Sequence, residues 1–80
     1  MTVKAYIMMN VKTGTEDEIC KELAGYEEVE EVSTIYGQYD AVIKVGVDDM
    51  KQLDSFILTK LRSISNIILT ATMLISKEYS

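Results

Sequence analysis

The chain contains no histidine, no proline and no tryptophan, and it has one cysteine among its 80 residues. Without histidine, the commonest general base is absent, and so are every histidine-containing catalytic triad and every histidine-ligated metal site. The single cysteine, Cys20, excludes an intramolecular disulfide and a Cys-x-x-Cys motif. Because so small a domain has no disulfide framework, we expect it in a reducing compartment, the cytoplasm.

Long apolar runs and basic clusters are missing as well. The longest apolar runs, Ala5 to Met9 and Ile67 to Leu69, are far shorter than the ~20 residues that cross a bilayer, and the first residues do not resemble a signal peptide. Thirteen acidic against eight basic residues give a net charge of −5, which argues against direct nucleic-acid binding. The length and the absence of a linker predict one domain over residues 1–80.

The hydrophobic pattern predicts six elements in the order β-α-β-β-α-β. Strands are expected where apolar residues alternate or β-branched residues concentrate: Val3 to Val11, Val29 to Tyr36, Tyr39 to Val47 and Ile67 to Lys77. Gly37 and Gln38 would form the tight turn of an antiparallel hairpin. Right-handed crossovers then put both helices on one face of a four-stranded antiparallel sheet, which is the ferredoxin-like α+β sandwich.

Capping signals mark the two helices. The first is predicted from Glu16 to Ala24, preceded by a Thr15–Glu18 capping box and ended by Gly25 in the left-handed conformation. The second begins after an Asp48 or Asp49 cap and ends at Ser65. Its buried stripe is predicted to consist of five apolar residues: Leu53, Phe56, Ile57, Leu61 and Ile64.

The sheet face opposite the helices is more apolar than a solvated face requires. Alternation assigns one aliphatic set to the helix side: Ala5, Ile7, Met9, Ile43, Val45, Leu69, Ala71 and Met73. The other face then carries an apolar patch among lysines and threonines: Tyr6, Met8, Val42, Ile68 and Leu74. We expect two copies to stack through Tyr6, Met8, Val42 and Leu74 across a two-fold axis. The alternative is an ordinary sheet with scattered apolar residues.

Polar and aromatic residues are densest in the segment from Tyr36 to Asp40. This segment can be a hairpin turn, in which Gly37 supplies the unusual dihedral angles and Asp40 satisfies local amides. It can also be a ligand clamp, in which amides around Gly37 hold a carboxylate, Asp40 pairs with an ammonium and tyrosines exclude water. Thr70 and Thr72 share one face of the last strand, either as β-branched filler or as hydroxyls aimed at a ligand or an interface.

Other candidate sites carry little chemistry. The segment from Glu16 to Glu31 holds eight carboxylates and one lysine, without the spacing of a calcium loop, so it is expected to be a solvated charged face. We expect no metal site and no cofactor. Cys20 is expected to pack in the core, because no base or cation near it would produce a thiolate.

These motifs together resemble the effector-binding RAM domain of the Lrp/AsnC feast–famine transcriptional regulators. The resemblance covers nearly the whole chain. Its most specific piece is the glycine–aromatic–aspartate turn, followed by an apolar strand that ends in Lys44 and Val45. The closing Thr-x-Thr of Thr70 and Thr72 is a second match. Family members join this domain to an N-terminal helix-turn-helix, whereas here the first strand follows Met1 directly, so we expect a stand-alone RAM protein without a DNA-binding domain.

The resemblance implies amino-acid effector binding and assembly into dimers and rings of dimers. It places the effector between dimers, in contact with five residues: Gly37, Tyr39, Asp40, Thr70 and Thr72. We expect an aliphatic amino acid, because these segments hold no arginine and few lysines to pair with an acidic side chain. The implied partners are further copies of the chain and full-length Lrp/AsnC regulators, whose activity it would modulate by co-assembly.

Two other functional classes share the predicted fold. One is a small dimeric ferredoxin-like enzyme, such as a cofactor-free monooxygenase or isomerase, but the absence of histidine argues against an enzyme. The other is an ACT-type regulatory domain, whose glycine lies near the first strand–helix loop, where this chain has Gly14.

Overall fold

The computed structural model describes residues 2–80 and contains the six predicted elements in the predicted order. The strands are β1 (Val3–Val11), β2 (Val29–Thr34), β3 (Ala41–Val47) and β4 (Ile67–Leu74). The helices are α1 (Glu16–Ala24) and α2 (Met50–Ser55), and α2 continues into a π-helical segment at Phe56–Leu61. The fold is a ferredoxin-like α+β sandwich with a four-stranded antiparallel sheet, as predicted.

The strand order β2-β3-β1-β4 puts β1 and β3 at the centre of the sheet and leaves β2 and β4 as its edges. The core lies between the sheet and the helices, and its largest fully buried side chains come from the central strands and the helical segments: Phe56, Ile7, Met9, Leu23, Ile43, Leu53, Leu61 and Val45. Within residues 2–80, no residue of β4 is fully part of this core, although Ile67 packs at its margin.

A β-bulge changes which side chains of β4 point to the helices. Val11 pairs with Ile67 but Asn10 pairs with Leu69, so Ile68 is an extra residue in β4. Paired residues of antiparallel strands share a face, and one inserted residue therefore moves the following side chains to the opposite face.

The bulge corrects the predicted faces of six β4 residues, from Leu69 to Leu74. Thr70, Thr72 and Leu74 pair with β1 residues that point to the helices, so they lie on the helix-side face. Leu69, Ala71 and Met73, which were predicted on the helix side, lie on the outer face, the one opposite the helices. The prediction that Leu74 belongs to the outer face was therefore wrong.

The helix ends agree with the prediction at α2 and differ from it at α1. Asp49 Oδ1 accepts a hydrogen bond from Gln52 N–H at 2.8 Å, which confirms the second of the two predicted caps. Thr15 makes no capping hydrogen bond, and its hydroxyl donates to Lys12 O at 2.6 Å instead, so the predicted capping box is absent. Gly25 follows α1 with φ of −82°, a right-handed conformation where a left-handed one was predicted.

The π-helical segment follows the spacing of the apolar residues. Arg62 N–H donates to Ile57 O at 3.0 Å, which is a five-residue step. Phe56 and Leu61 are also five residues apart, and both are buried. The wider turn therefore brings Leu61 to the core, where the sequence predicted a regular α-helix.

Candidate ligand-binding site

The loop between β2 and β3 carries three of the predicted ligand residues and is longer than expected. The strands end at Thr34 and resume at Ala41, which leaves a six-residue loop instead of a two-residue turn. Ile35 N–H donates to Asp40 O at 2.9 Å and closes the base of the loop. Gly37 at its tip has φ of +135°, a conformation that residues with a Cβ rarely adopt.

Asp40 fixes the base of this loop against the end of β1. Its N–H donates to Met9 O at 2.9 Å, and its Oδ2 accepts a hydrogen bond from Val11 N–H at 2.9 Å. Val11 is buried, so removing this carboxylate would leave its N–H without an acceptor in the interior. Asp40 Oδ1 accepts no hydrogen bond from residues 2–80 and is free to accept one from a ligand.

A pocket of about 340 Å³, here called the Asp40 pocket, opens beside this loop. It is lined by residues of α1, β2 and the loop: Glu16, Thr34, Ile35, Tyr36 and Asp40. The volume lies at the lower end of the range for small-molecule sites. Two carboxylates line the pocket, so its electrostatics favour a cationic group such as an ammonium.

Glu16 is a member of this pocket that the sequence analysis missed. It begins α1, and its Oε1 accepts a hydrogen bond from Gly14 N–H at 2.7 Å, which ties the carboxylate to the β1–α1 loop. The available sequence signal was Gly14, a glycine immediately before an acidic helix start. In the structure its φ is +89°, which marks a turn there. Gly37 and Tyr39 lie on the β2–β3 loop but do not line the pocket.

The tip of the loop presents unused hydrogen-bond donors. Within residues 2–80, the N–H groups of Tyr36, Gly37, Gln38 and Tyr39 donate to no acceptor of the protein. Consecutive N–H groups around a glycine turn can bind an anion such as a carboxylate. A potential anion site therefore adjoins the two carboxylates of the Asp40 pocket.

The two predicted ligand threonines lie apart from this loop. Thr70 and Thr72 are exposed on the helix-side face of β4, and β1 separates β4 from β3. Met9 pairs with both Ala41 and Thr70, so two strand spacings, roughly 10 Å, separate the end of the loop from the first threonine. One protomer therefore does not bring the threonines to the Asp40 pocket.

Comparison with known proteins identifies the family of the chain. Residues 4–80 match the family model described as the Lrp/AsnC ligand binding domain. The chain belongs to this family. The resemblance inferred from the glycine–aspartate turn and the Thr-x-Thr strand is confirmed.

The relatives include regulators and a protein of similar length. The chain is 36% identical over 75 residues to the HTH-type transcriptional regulator FL11 of Pyrococcus abyssi, and the match covers 94% of this chain and 49% of the regulator. The chain thus spans about half the length of the curated relatives it matches. The crystal structure of hypothetical protein PHS023 from Pyrococcus horikoshii is similar at a TM-score of 0.90 and 39% identity, over 96% of this chain and 93% of that one.

A similar fold also occurs in a solved structure of low sequence identity. The transcriptional regulator NMB0573 of Neisseria meningitidis, solved as its L-Met complex, is similar at a TM-score of 0.89 and 18% identity, over 98% of this chain and 52% of that one. At this identity the likeness concerns the fold. Family membership and the regulator relatives together support a regulatory, effector-binding role. No helix within residues 2–80 is long and apolar enough to cross a membrane.

The outer face of this Lrp/AsnC domain carries the predicted interface residues other than Leu74. Tyr6 is 41% exposed, and Met8 and Val42 are half-buried. Met73, which is 53% exposed, pairs with Tyr6 and takes the position predicted for Leu74. We call these neighbouring apolar residues the outer patch: Tyr6, Met8, Val42, Ala71 and Met73.

The C-terminal segment pairs with the lysines of the outer face. Glu78 Oε2 lies 2.7 Å from Lys44 Nζ, and its Oε1 lies 3.9 Å from Lys4 Nζ. The hydrogen bond to Glu78 raises the pKa of Lys44, and the same bond lowers the pKa of Glu78. The charged half of the outer face is therefore paired within the chain, and the outer patch is the half that remains open.

The acidic segment from Glu16 to Glu31 makes ion pairs with other elements. Lys60 Nζ donates to both carboxylate oxygens of Glu28 at 2.9 Å, and these hydrogen bonds lower the pKa of Glu28. Glu30 Oε1 lies 3.4 Å from Lys4 Nζ. Within residues 2–80, no three histidine, cysteine, aspartate or glutamate side chains are grouped so as to hold a metal ion.

Cys20 packs against the core from α1, as predicted. Burial raises the pKa of its thiol, and the nearby carboxylates of Asp17 and Glu16 raise it further. The side chain therefore stays protonated and poorly nucleophilic at neutral pH.

Proposed function

We propose that this Lrp/AsnC domain binds a free α-amino acid and modulates Lrp/AsnC-type regulators by assembling with them. The observation that carries the proposal is the presence, at one loop, of both the Asp40 pocket and the unused N–H groups of residues 36–39. An α-amino acid offers the complementary pair, an ammonium and a carboxylate joined by one carbon. The regulatory context comes from the relatives, which are named transcriptional regulators.

Each end of the amino acid has a partner at this loop. Asp40 Oδ2 is engaged by Val11 N–H, so Oδ1 accepts from the ammonium, with Glu16 as the second carboxylate. The N–H groups beside Gly37 donate to the carboxylate, and Tyr39 shields the site from water. Charge-assisted hydrogen bonds at both ends then select an α-amino acid over an amine or an acid alone.

An aliphatic side chain fits the remainder of the pocket. Ile35 and Tyr36 contribute apolar lining, and no basic residue lines the pocket within residues 2–80. An acidic ligand side chain would meet Glu16 and Asp40 without a cation to pair with. The L-Met complex of NMB0573 supports the same choice, because methionine is apolar and unbranched.

The complete site lies between dimers. Thr70 and Thr72 are exposed and lie roughly 10 Å from the loop within one protomer, so a neighbouring dimer has to supply their hydroxyls. Stacking of two outer patches forms the dimer, and a ring of dimers brings threonines to loops. The same surfaces would accept a full-length Lrp/AsnC regulator in place of an identical copy.

Calorimetric titration with L-leucine, L-isoleucine and L-methionine tests the site. Asp40→Asn is the informative variant. Its amide oxygen can still accept a hydrogen bond from Val11 N–H, but the negative charge that would pair with the ligand's ammonium is lost. We expect wild-type protein to bind at least one of these amino acids, and Asp40→Asn and Glu16→Gln to weaken binding by tenfold or more. Asp54→Asn, an exposed carboxylate on α2, is the matched control and should bind normally.

Two analogues separate the ends of the ligand. Leucine amide lacks the carboxylate and isocaproate lacks the ammonium, so both should bind at least tenfold more weakly than leucine at the Asp40 pocket. The proposal fails if no amino acid binds, or if Asp40→Asn binds as tightly as wild type. Co-assembly is tested separately, by mixing the chain with a full-length regulator and following the mass of the complex.

A further inference from the structure

A second pocket, of about 210 Å³, lies on the opposite side of β1 from the Asp40 pocket. It lies between the end of the helical segment and the bulged start of β4. Seven of its eight lining residues are uncharged, six of them aliphatic and one a threonine, and we call it the Arg62 pocket after its single cation. Its full lining is Ile57, Leu61, Arg62, Ile64, Ile67, Ile68, Leu69 and Thr70.

The bulge and the π-helical segment create this pocket. The extra residue Ile68 sends the start of β4 away from regular pairing, and Ile68 and Leu69 are 71% and 54% exposed. Leu61 and Ile64 form the buried floor, where the wider helical turn meets the core. Large aliphatic side chains thus remain partly hydrated around a concave space, and an apolar group placed there would gain about 25 cal/mol per Å² of surface removed from water.

The polar side chains that line the Arg62 pocket are one guanidinium and one hydroxyl. Arg62 is exposed and forms no ion pair within residues 2–80, and no carboxylate is among the lining residues. Thr70, on the helix-side face of β4, adds a hydroxyl that can donate. In a chain of net charge −5, a pocket with one unpaired guanidinium and no carboxylate is suited to an anion.

We infer that the Arg62 pocket binds a small branched aliphatic carboxylate that lacks an ammonium group. The guanidinium pairs with the carboxylate, and the isoleucine and leucine side chains enclose the alkyl group. At roughly 30 Å³ for each water-sized group, the volume holds about seven non-hydrogen atoms, which is the size of isovalerate. An α-ammonium would lie next to the guanidinium, so the Arg62 pocket discriminates against the amino acid that we assign to the Asp40 pocket.

Titration of isovalerate into protein labelled at isoleucine δ1 methyl groups tests this inference by NMR. Ile57, Ile64, Ile67 and Ile68 report on the Arg62 pocket, whereas Ile35 reports on the Asp40 pocket. We expect saturable shifts in the first set, with Ile35 unchanged. The readout is independent of the proposed function, because leucine binding at the Asp40 pocket would shift Ile35 and failure there would leave the isovalerate result intact.

Arg62→Gln and a neutral analogue provide the controls. Arg62→Gln should weaken isovalerate binding by tenfold or more, and isovaleramide, which has the same shape without charge, should bind tenfold more weakly to wild type. Lys51→Gln removes an exposed cation on α2 and should leave binding unchanged. The inference is overturned if isovalerate shifts no methyl group of the first set, if isovaleramide binds equally well, or if Arg62→Gln behaves like wild type.

Discussion

The two edge strands of the sheet differ in charge. β2 carries Glu30 and Glu31 and follows Glu28, and all three carboxylates form ion pairs, with Lys4, Lys44 and Lys60 respectively. By contrast, no charged residue occurs between positions 67 and 76, which include all of β4. Charged side chains on an edge strand discourage pairing with another chain, whereas an uncharged aliphatic edge permits it.

The two edge strands also differ in how far other elements of the protomer pack against them. α1 packs against β2, and a register shift at the start of β2 brings the Glu30 carboxylate against Gly46 of β3. On β4, Thr72 and Leu74 face the helix side yet remain exposed. The β2 edge is therefore completed by contacts within one protomer, and we expect contacts with partners and ligands to concentrate on the β4 side.

A lysine on the β4 side of the outer patch should have the largest effect. In Met73→Lys, a charge replaces a side chain that we expect to be buried twice in a two-fold dimer. Burial of one such side chain contributes about 1.5–3 kcal/mol, so the loss at two positions should weaken dimerisation by roughly 100-fold or more. Sedimentation velocity across a concentration series measures the shift from dimer to a 9.0 kDa monomer.

Ser33→Lys is the matched control, because Ser33 pairs with Val42 on the same outer face but belongs to β2. It should change the dimerisation constant by less than a factor of about three. Equal effects of the two lysines would show that the association surface does not favour β4. A wild-type chain that remains monomeric at micromolar concentration would contradict the outer-patch dimer altogether.

The sequence predicted the fold well because the central strands and α1 each have one consistent pattern. Every second residue of β3, and of β1 from Ala5 onward, is apolar and buried, so the period of two identified both strands and their inner faces. β4 has aliphatic residues in both alternating sets, and a one-residue bulge there leaves no compositional trace. For that reason the sequence predicted the wrong face for Leu74.

The candidate site was predictable only where its residues are adjacent in sequence. The segment from Tyr36 to Asp40 was found because its glycine, aromatic residues and aspartate are contiguous. Glu16 was missed because its place in the Asp40 pocket depends on the approach of the β1–α1 loop, a long-range contact. The Arg62 pocket depends on a π-helical turn and a β-bulge, two local irregularities that hydrophobic periodicity does not predict.

Loss of the Glu28–Lys60 pair should have a moderate effect on the folded protomer. Glu28→Gln keeps the shape of the side chain but removes its charge, and Glu28 is largely covered in the structure. We expect the free energy of unfolding to fall by about 1 kcal/mol, less than for a fully buried charged hydrogen bond because Lys60 is partly exposed. Urea unfolding in the Met73→Lys background measures this without a contribution from association.

Asp17→Asn tests whether the position of an ion pair determines how much it contributes to the free energy of unfolding. Asp17 pairs with Lys21 at 3.1 Å on the exposed side of α1, where both side chains are largely solvated. Its loss should change the free energy of unfolding by about 0.5 kcal/mol or less. If Asp17→Asn costs as much as Glu28→Gln, the ion pair at β2 is no more than an ordinary surface pair.

The pH dependence of the free energy of unfolding should show the smallest effect, and it should again arise from the ion pair at the β2 edge. Hydrogen bonds from Lys60 lower the pKa of Glu28 in the folded state, so ionised Glu28 stabilises the fold above its unfolded-state pKa. That stability is lost as the pH falls through the folded-state pKa. Between neutral pH and about pH 3, Glu28→Gln should therefore lose less stability than the parent protein, by an amount below about 1 kcal/mol.

Lys60→Gln removes the hydrogen-bond donor to Glu28 and should flatten the pH profile of stability in the same direction. Glu78, whose pKa Lys44 lowers, leaves a residual slope in both variants. Urea titrations at a series of pH values decide the point, and parallel profiles for all three proteins would show that the Glu28–Lys60 pair does not couple folding to protonation.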